Sequence, residues 1–337
     1  MVEVRGGRTA DRPRIENLAQ VPGRTGAAGP PGVAGRPRAT VRERLVGRFP
    51  AAAPVWTVGH LTRPWFWPLG WAGAYLGAVL ATRVWLPPVT PGTVALLVVL
   101  GPLVWGAVLA VNDRHDLPSD RRNPRKATAA LVTGALTEAE LARWARRCTV
   151  AALAVAAVAG WWALAGTALV LLLGYLYSAP PWRLKARAGA DVAVNALTVG
   201  VLGPLAGWSL HRSPLDYPPV MVLLGLLLGA ALYLPTTVID VDADRAAGDL
   251  TSAVRWTPEG CHRIGLALWT AAVLVWLATC HLGLLVTRAA WPLQDAAAPV
   301  LVLLYALLTL RPSIARMAVV SAAFAVPAAD FLLACVT

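Results

Sequence analysis

Residues 219–249 read PVMVLLGLLLGAALYLPTTVIDVDADRAAGD: twenty-one residues without a charge, then four carboxylates in the next ten. About 20 apolar residues cross the ~30 Å hydrocarbon core of a bilayer. This stretch therefore reads as a transmembrane helix that delivers a cluster of acids to the membrane edge. The rest of the chain repeats the pattern. Apolar runs lie near 66–86, 93–111, 147–165, 167–178, 190–210, 219–239, 264–286, 297–310 and 317–336, separated by short polar joints. Backbone groups in lipid must bond internally, and the runs have helical length, so helices follow rather than strands. The expected fold is an all-α integral membrane bundle of about nine transmembrane helices.

Composition agrees: of 337 residues, 57% are hydrophobic and only 14% charged, with mean hydropathy +0.58. Soluble domains carry about a quarter charged residues. The net charge of +12 raises nucleic-acid binding as a question, and its distribution answers it. With the N-terminus in the cytoplasm, 27 of the 30 basic residues fall on that side, leaving Arg83, Arg212 and Arg288 opposite. That is the positive-inside asymmetry, so the excess marks topology, and no nucleic-acid partner is expected. The Gly/Pro/Arg-rich residues 1–50 carry no apolar periodicity and read as a disordered basic cytoplasmic tail ahead of a membrane domain over 51–337. Four scattered cysteines show no ligand spacing.

Seven of the 18 acids are packed into two joints on the cytoplasmic side. The first reads Asn112-Asp113-Arg114-His115-Asp116-Leu117-Pro118-Ser119-Asp120; Asn112, Asp116 and Asp120 share one face if the helix continues, whereas Pro118 leaves open a turn instead. In the second, Asp240 and Asp244 share a face. Clustered carboxylates repel one another, and the pattern suits Mg²⁺ held by one or two protein oxygens with substrate phosphate. The chain has only two lysines, Lys126 and Lys185, and both lie in joints beside these clusters. A compact ammonium suits a phosphate oxygen.

These residues resemble the UbiA superfamily of intramembrane prenyltransferases. Its NDxxDxxxD motif is matched by Asn112, Asp113, Asp116 and Asp120, and its DxxxD motif by Asp240 and Asp244 with Arg245, Gly248 and Thr251 trailing. Tyr177-Ser178-Ala179-Pro180-Pro181, leading to Lys185, is similar to a third signature loop; Asn195 and Arg63-Pro64 also fit. The loop after Asn123-Pro124-Arg125 departs from the common pattern, which bears on the acceptor more than on the diphosphate.

The resemblance implies a bundle around a central cavity, capped by cytoplasmic loops in the cell membrane. It implies Mg²⁺-dependent ionisation of an isoprenyl diphosphate and transfer of the prenyl group to a hydrophobic acceptor. Asn112, Asp116, Asp120, Asp240 and Asp244 would hold Mg²⁺. Arg63, Arg125, Lys126, Lys185, Arg245 and Asn195 would meet the diphosphate. Asp113, Asp116, Asp240 and Tyr177 would serve the chemistry, Tyr177 as a ring face for an allylic cation. An intramembrane terpene synthase is the alternative on the same fold. A transporter fits poorly, because the acids lie at one interface rather than mid-bilayer.

Overall fold

The computed structural model describes residue 59 and residues 61–122, 126–285 and 291–336. The tail assigned to 1–50 and the diphosphate candidate Arg125 lie outside the described residues. Apart from one isolated bridge between Arg187 and Leu250, the regular structure there is helical. The helices are α1 (Trp67–Thr82), α2 (Pro91–Asp120), α3 (Glu138–Ala159), α4 (Trp161–Ser178), α5 (Ala190–Trp208), α6 (Pro219–Ile239), the short α7 (Val241–Ala247), α8 (Ser252–His281), α9 (Trp291–Leu308) and α10 (Ile314–Val336). Six of these, α2, α4, α5, α6, α8 and α10, are long and apolar enough to cross a membrane. Large apolar side chains such as Leu172, Leu274 and Leu303 stand exposed on the bundle, a surface that only lipid suits. The chain is a multi-pass membrane protein.

Local chemistry sets several helix ends. Thr90 opens α2 with a capping box to Thr93, ahead of Pro91 in the first turn. Thr137 and Glu140 make the equivalent box at α3. The third and fourth runs, expected over 147–165 and 167–178, divide instead at Gly160, whose φ of 112° ends α3 and starts α4. Two helices begin well before their apolar runs. α3 starts at Glu138 rather than near 147, and α8 at Ser252 rather than near 264, because both carry polar turns beyond the apolar segment.

α1 packs on α5, α2 on α3, α5 on α6, α6 on α8, α8 on α9, and α10 returns to α1. Small residues permit the closest crossings. A Cβ on Gly77 of α1 would lie 1.7 Å from the Pro204 carbonyl oxygen, and one on Gly207 of α5 1.8 Å from that of Ala74. Gly200 and Gly225 make the same approach between α5 and α6. Backbones this close are how membrane helices associate without a hydrophobic driving force. α5 is thereby fixed between α1 and α6, where its first turn meets the acid clusters.

Two π-turns lie in this frame. Val99–Leu103 in α2 surrounds Gly101-Pro102, and Ala196–Leu202 lies in α5. Pro102 supplies no backbone N–H to the i→i−4 ladder, which accounts for the first.

Candidate active site

α2 continues as helix through Pro118 to Asp120. The i, i+4, i+8 face is therefore kept, and Asn112, Asp116 and Asp120 all line one polar chamber of about 750 Å³. α6 ends at Ile239, and α7 carries Asp244 to the same chamber, with Asp240 at the joint. Lys126, Lys185 and Tyr177 complete the set of anticipated residues on its walls. The chamber thus gathers eight of the candidates from segments far apart in sequence.

Two cations connect the acids. The Lys185 ammonium donates to Asp116 and, at 2.8 Å, to the Asn112 side-chain oxygen. Arg183 reaches Asp116 at 3.4 Å and Asp249 at 3.1 Å, joining α2 to the loop after α7. Burial pulls the Lys185 ammonium below the ordinary lysine range, and the neighbouring Asp116 carboxylate opposes that shift. Lys126 pairs with Asp120 at 3.6 Å. Thr251 donates to Asp244 at 3.0 Å, fixing the second cluster on the start of α8.

Burial, reinforced by the charges of Asp240 and Asp249, raises the Asp244 carboxyl to about 6, against the partial relief of its bond to Thr251. A raised carboxylate is neutral below that pH, so its capacity for a cation is present above about 6 and lost as pH falls through it. If Asp244 holds Mg²⁺ for an enzymatic activity, the Mg²⁺ concentration giving half activity should rise by up to about tenfold per pH unit below 6, because a proton then competes with the ion. Mg²⁺ titrations of activity between pH 5 and 8 measure this; a flat midpoint would remove Asp244 from the site.

Above the polar chamber lies a second, apolar cavity of about 500 Å³ between α1, α2, α4 and α5. Asn112 and Tyr177 line both spaces, so the two meet there. The Tyr177 hydroxyl bonds that of Tyr233 at 2.6 Å, placing two phenols at the neck. A polar room opening onto an apolar one suits an amphipathic molecule with an anionic head.

Four other candidates stand apart from the polar chamber. Arg63 donates to both carboxylate oxygens of Asp113 at 2.7 and 2.8 Å, and this pair is absent from the chamber walls. Arg245 is exposed beside Asp242. Asn195 lines the apolar cavity and donates to the Asp191 carbonyl.

Asp191, which sequence reading did not single out, is buried in the polar wall. It accepts from the Ser252 amide at 2.8 Å, the Ser252 hydroxyl at 2.6 Å and the Val192 amide at 2.9 Å. It ties the start of α5 to the start of α8, next to both the Lys185 loop and Thr251. A lone carboxylate in the first turn of an apolar span was the available signal. Arg183 was hidden among many arginines.

Among the described residues, no three His, Cys, Asp or Glu side chains converge as a metal cage. The acids come as pairs on α2 and around α7. Mg²⁺ is usually bound through one or two carboxylates with substrate phosphates and water, so this all-oxygen donor set fits that ion.

Residues 66–326 match the model of the UbiA prenyltransferase family. The chain belongs to the UbiA prenyltransferase family. It is 28% identical over 199 residues to the chloroplastic chlorophyll synthase of Arabidopsis thaliana, covering 56% of this chain and 50% of that protein. It is 31% identical over 176 residues to homogentisate phytyltransferase of Synechocystis, covering 50% and 56%. The chain spans about half the length of these curated relatives. Its fold is that of a UbiA homologue from Archaeoglobus fulgidus bound to DMAPP and Mg²⁺, with TM-score 0.67 and 22% identity over 82% of this chain and 98% of that one. A digeranylgeranylglyceryl phosphate synthase structure is also similar, with TM-score 0.63 and 17% identity over 84% and 97%.

Proposed function

We propose that this UbiA-family protein transfers a prenyl group from an isoprenyl diphosphate to a lipophilic acceptor inside the membrane, with Mg²⁺ as cofactor. The observation that carries the reading is the junction at Asn112 and Tyr177, where a carboxylate-and-lysine chamber opens into an apolar cavity. The diphosphate would lie among Asp116, Asp120, Asp240, Asp244, Lys126 and Lys185, and the tail would run into the apolar space. Bound with the substrate, Mg²⁺ would neutralise negative charge growing on the leaving diphosphate.

The chain's own groups supply the rest. The C1–O bond breaks with its electron pair leaving on the diphosphate, where the Lys185 and Lys126 ammoniums meet the developing charge. The Tyr177 ring at the neck faces the allylic carbon and favours its positive charge. The acceptor atom bonds to C1 and releases its proton to water in the polar chamber. Arg63 holds Asp113 and so orients the end of α2. All nine long helices would span the bilayer, with the acid clusters and the N-terminal side in the cytoplasm.

Purified protein incubated with Mg²⁺ and a prenyl diphosphate, with and without quinol or other phenolic and isoprenoid acceptors, tests the reading. A prenylated acceptor that disappears with EDTA is expected. A cyclic hydrocarbon formed equally without acceptor would overturn it in favour of a terpene synthase.

A further inference from the structure

The apolar cavity is lined along nearly the whole length of α4, from Trp162 to Ser178. On α4 its wall passes from Tyr177 at the neck through Gly174, Val170 and Gly166 to Ala163, all on one stripe. At 1.5 Å per residue, Val170, Gly166 and Ala163 stand about 10, 16 and 21 Å from Tyr177 along the axis. Three extended backbone bonds span about 3.3–3.6 Å, so the four chain bonds of one isoprene unit span about 4.5 Å. The three positions therefore lie just past two, between three and four, and between four and five isoprene units from the neck.

We infer that this cavity takes a donor tail of at least four isoprene units, C20 or longer, and that Val170 and Gly166 on α4 set its length. The inference rests on the proposed diphosphate site and adds to it a substrate class and a ruler. Gly166 lines the cavity, and a Cβ built there meets nothing within 4 Å. The residue thus leaves open the depth that a longer tail needs. Space of this kind is not found throughout the stripe: a Cβ at Gly174 would lie 2.6 Å from the Val108 side chain. A tail shorter than the cavity leaves apolar wall uncovered, and that wall reaches as far as Trp162 and Pro214. A hydrophobic site discriminates one methylene by about 10–200-fold, so a missing five-carbon unit is worth at least tenfold here.

The test measures binding of non-ionising thiolo-diphosphate analogues with C10, C15 and C20 tails in Mg²⁺, alongside turnover of the natural diphosphates. Wild type should bind the C20 analogue at least tenfold more tightly than C10. Gly166→Leu places a side chain in open space and exchanges glycine for a better helix former, so it should fold. It should remove the C20 advantage and leave C15 preferred. Val170→Phe should shift the preference further, to C10. Equal binding of all three tails by wild type, or an unchanged length profile in both variants, would overturn the ruler. So would variants that change only the KM of the acceptor, since the cavity would then hold the acceptor. Failure of every analogue to bind would instead reject the diphosphate site itself, whereas length-ordered binding without transfer would reject only the transfer reaction.

Discussion

Asp116→Asn should reduce prenyl transfer by about a thousandfold or more, the upper part of the range for removing one electrostatic contact at a reacting centre. Asp116 is where three lines of interaction meet: the Lys185 ammonium, the Arg183 guanidinium and the floor of the polar chamber. The amide keeps the volume and one acceptor oxygen and loses the charge. It therefore separates a need for a carboxylate from a need for shape. The substitution also leaves Lys185, whose side chain is only 12% exposed, without its principal anion. An uncompensated buried group costs about 1–3 kcal/mol. A modest fall in thermal stability in detergent should accompany the loss of turnover. Retention of a tenth or more of wild-type transfer would remove Asp116 from the site.

The six helices long and apolar enough to cross a membrane were legible in the sequence because lipid imposes one length and one polarity on them. α6 is found where its uncharged run lies, 219–239. The boundaries that shifted are those where a helix leaves lipid and continues in polar residues: hydropathy stops at the membrane, but the hydrogen-bond ladder of α3 and α8 does not. The i, i+4, i+8 face of Asn112, Asp116 and Asp120 was legible for the opposite reason, since it needs only local helix geometry. Partnership across the bundle was not. Arg63 and Asp113 are 50 residues apart, and nothing in either segment says that the guanidinium spends itself on the carboxylate. The same holds for Arg183, which bridges Asp116 and Asp249, and for Asp191, whose role depends on Ser252 sixty-one residues later. Motif spacing shows which residues share a face. Which charges are already paired on that face is decided by tertiary packing.

That distinction governs the expected result for Lys185→Met, a loss of about 10²–10³ in kcat. Methionine approximates the length of the stem and removes the ammonium. Asn112 and Asp116 then lose the donor that holds them together, and the chamber loses the positive group proposed to meet the diphosphate. Lys185→Arg should restore less than a tenth of the activity. A guanidinium is planar, larger and directional, where the lysine offers a compact charge with three rotatable donors, and Arg183 already occupies one side of Asp116. The decisive measurement is the double variant. If Lys185 and Asp116 act as one unit, Asp116→Asn with Lys185→Met should be little worse than Asp116→Asn alone, because residues that work together do not lose activity additively. Multiplying losses in the double variant would mean that the two side chains serve separate steps, and that their contact in the folded chain is incidental to transfer.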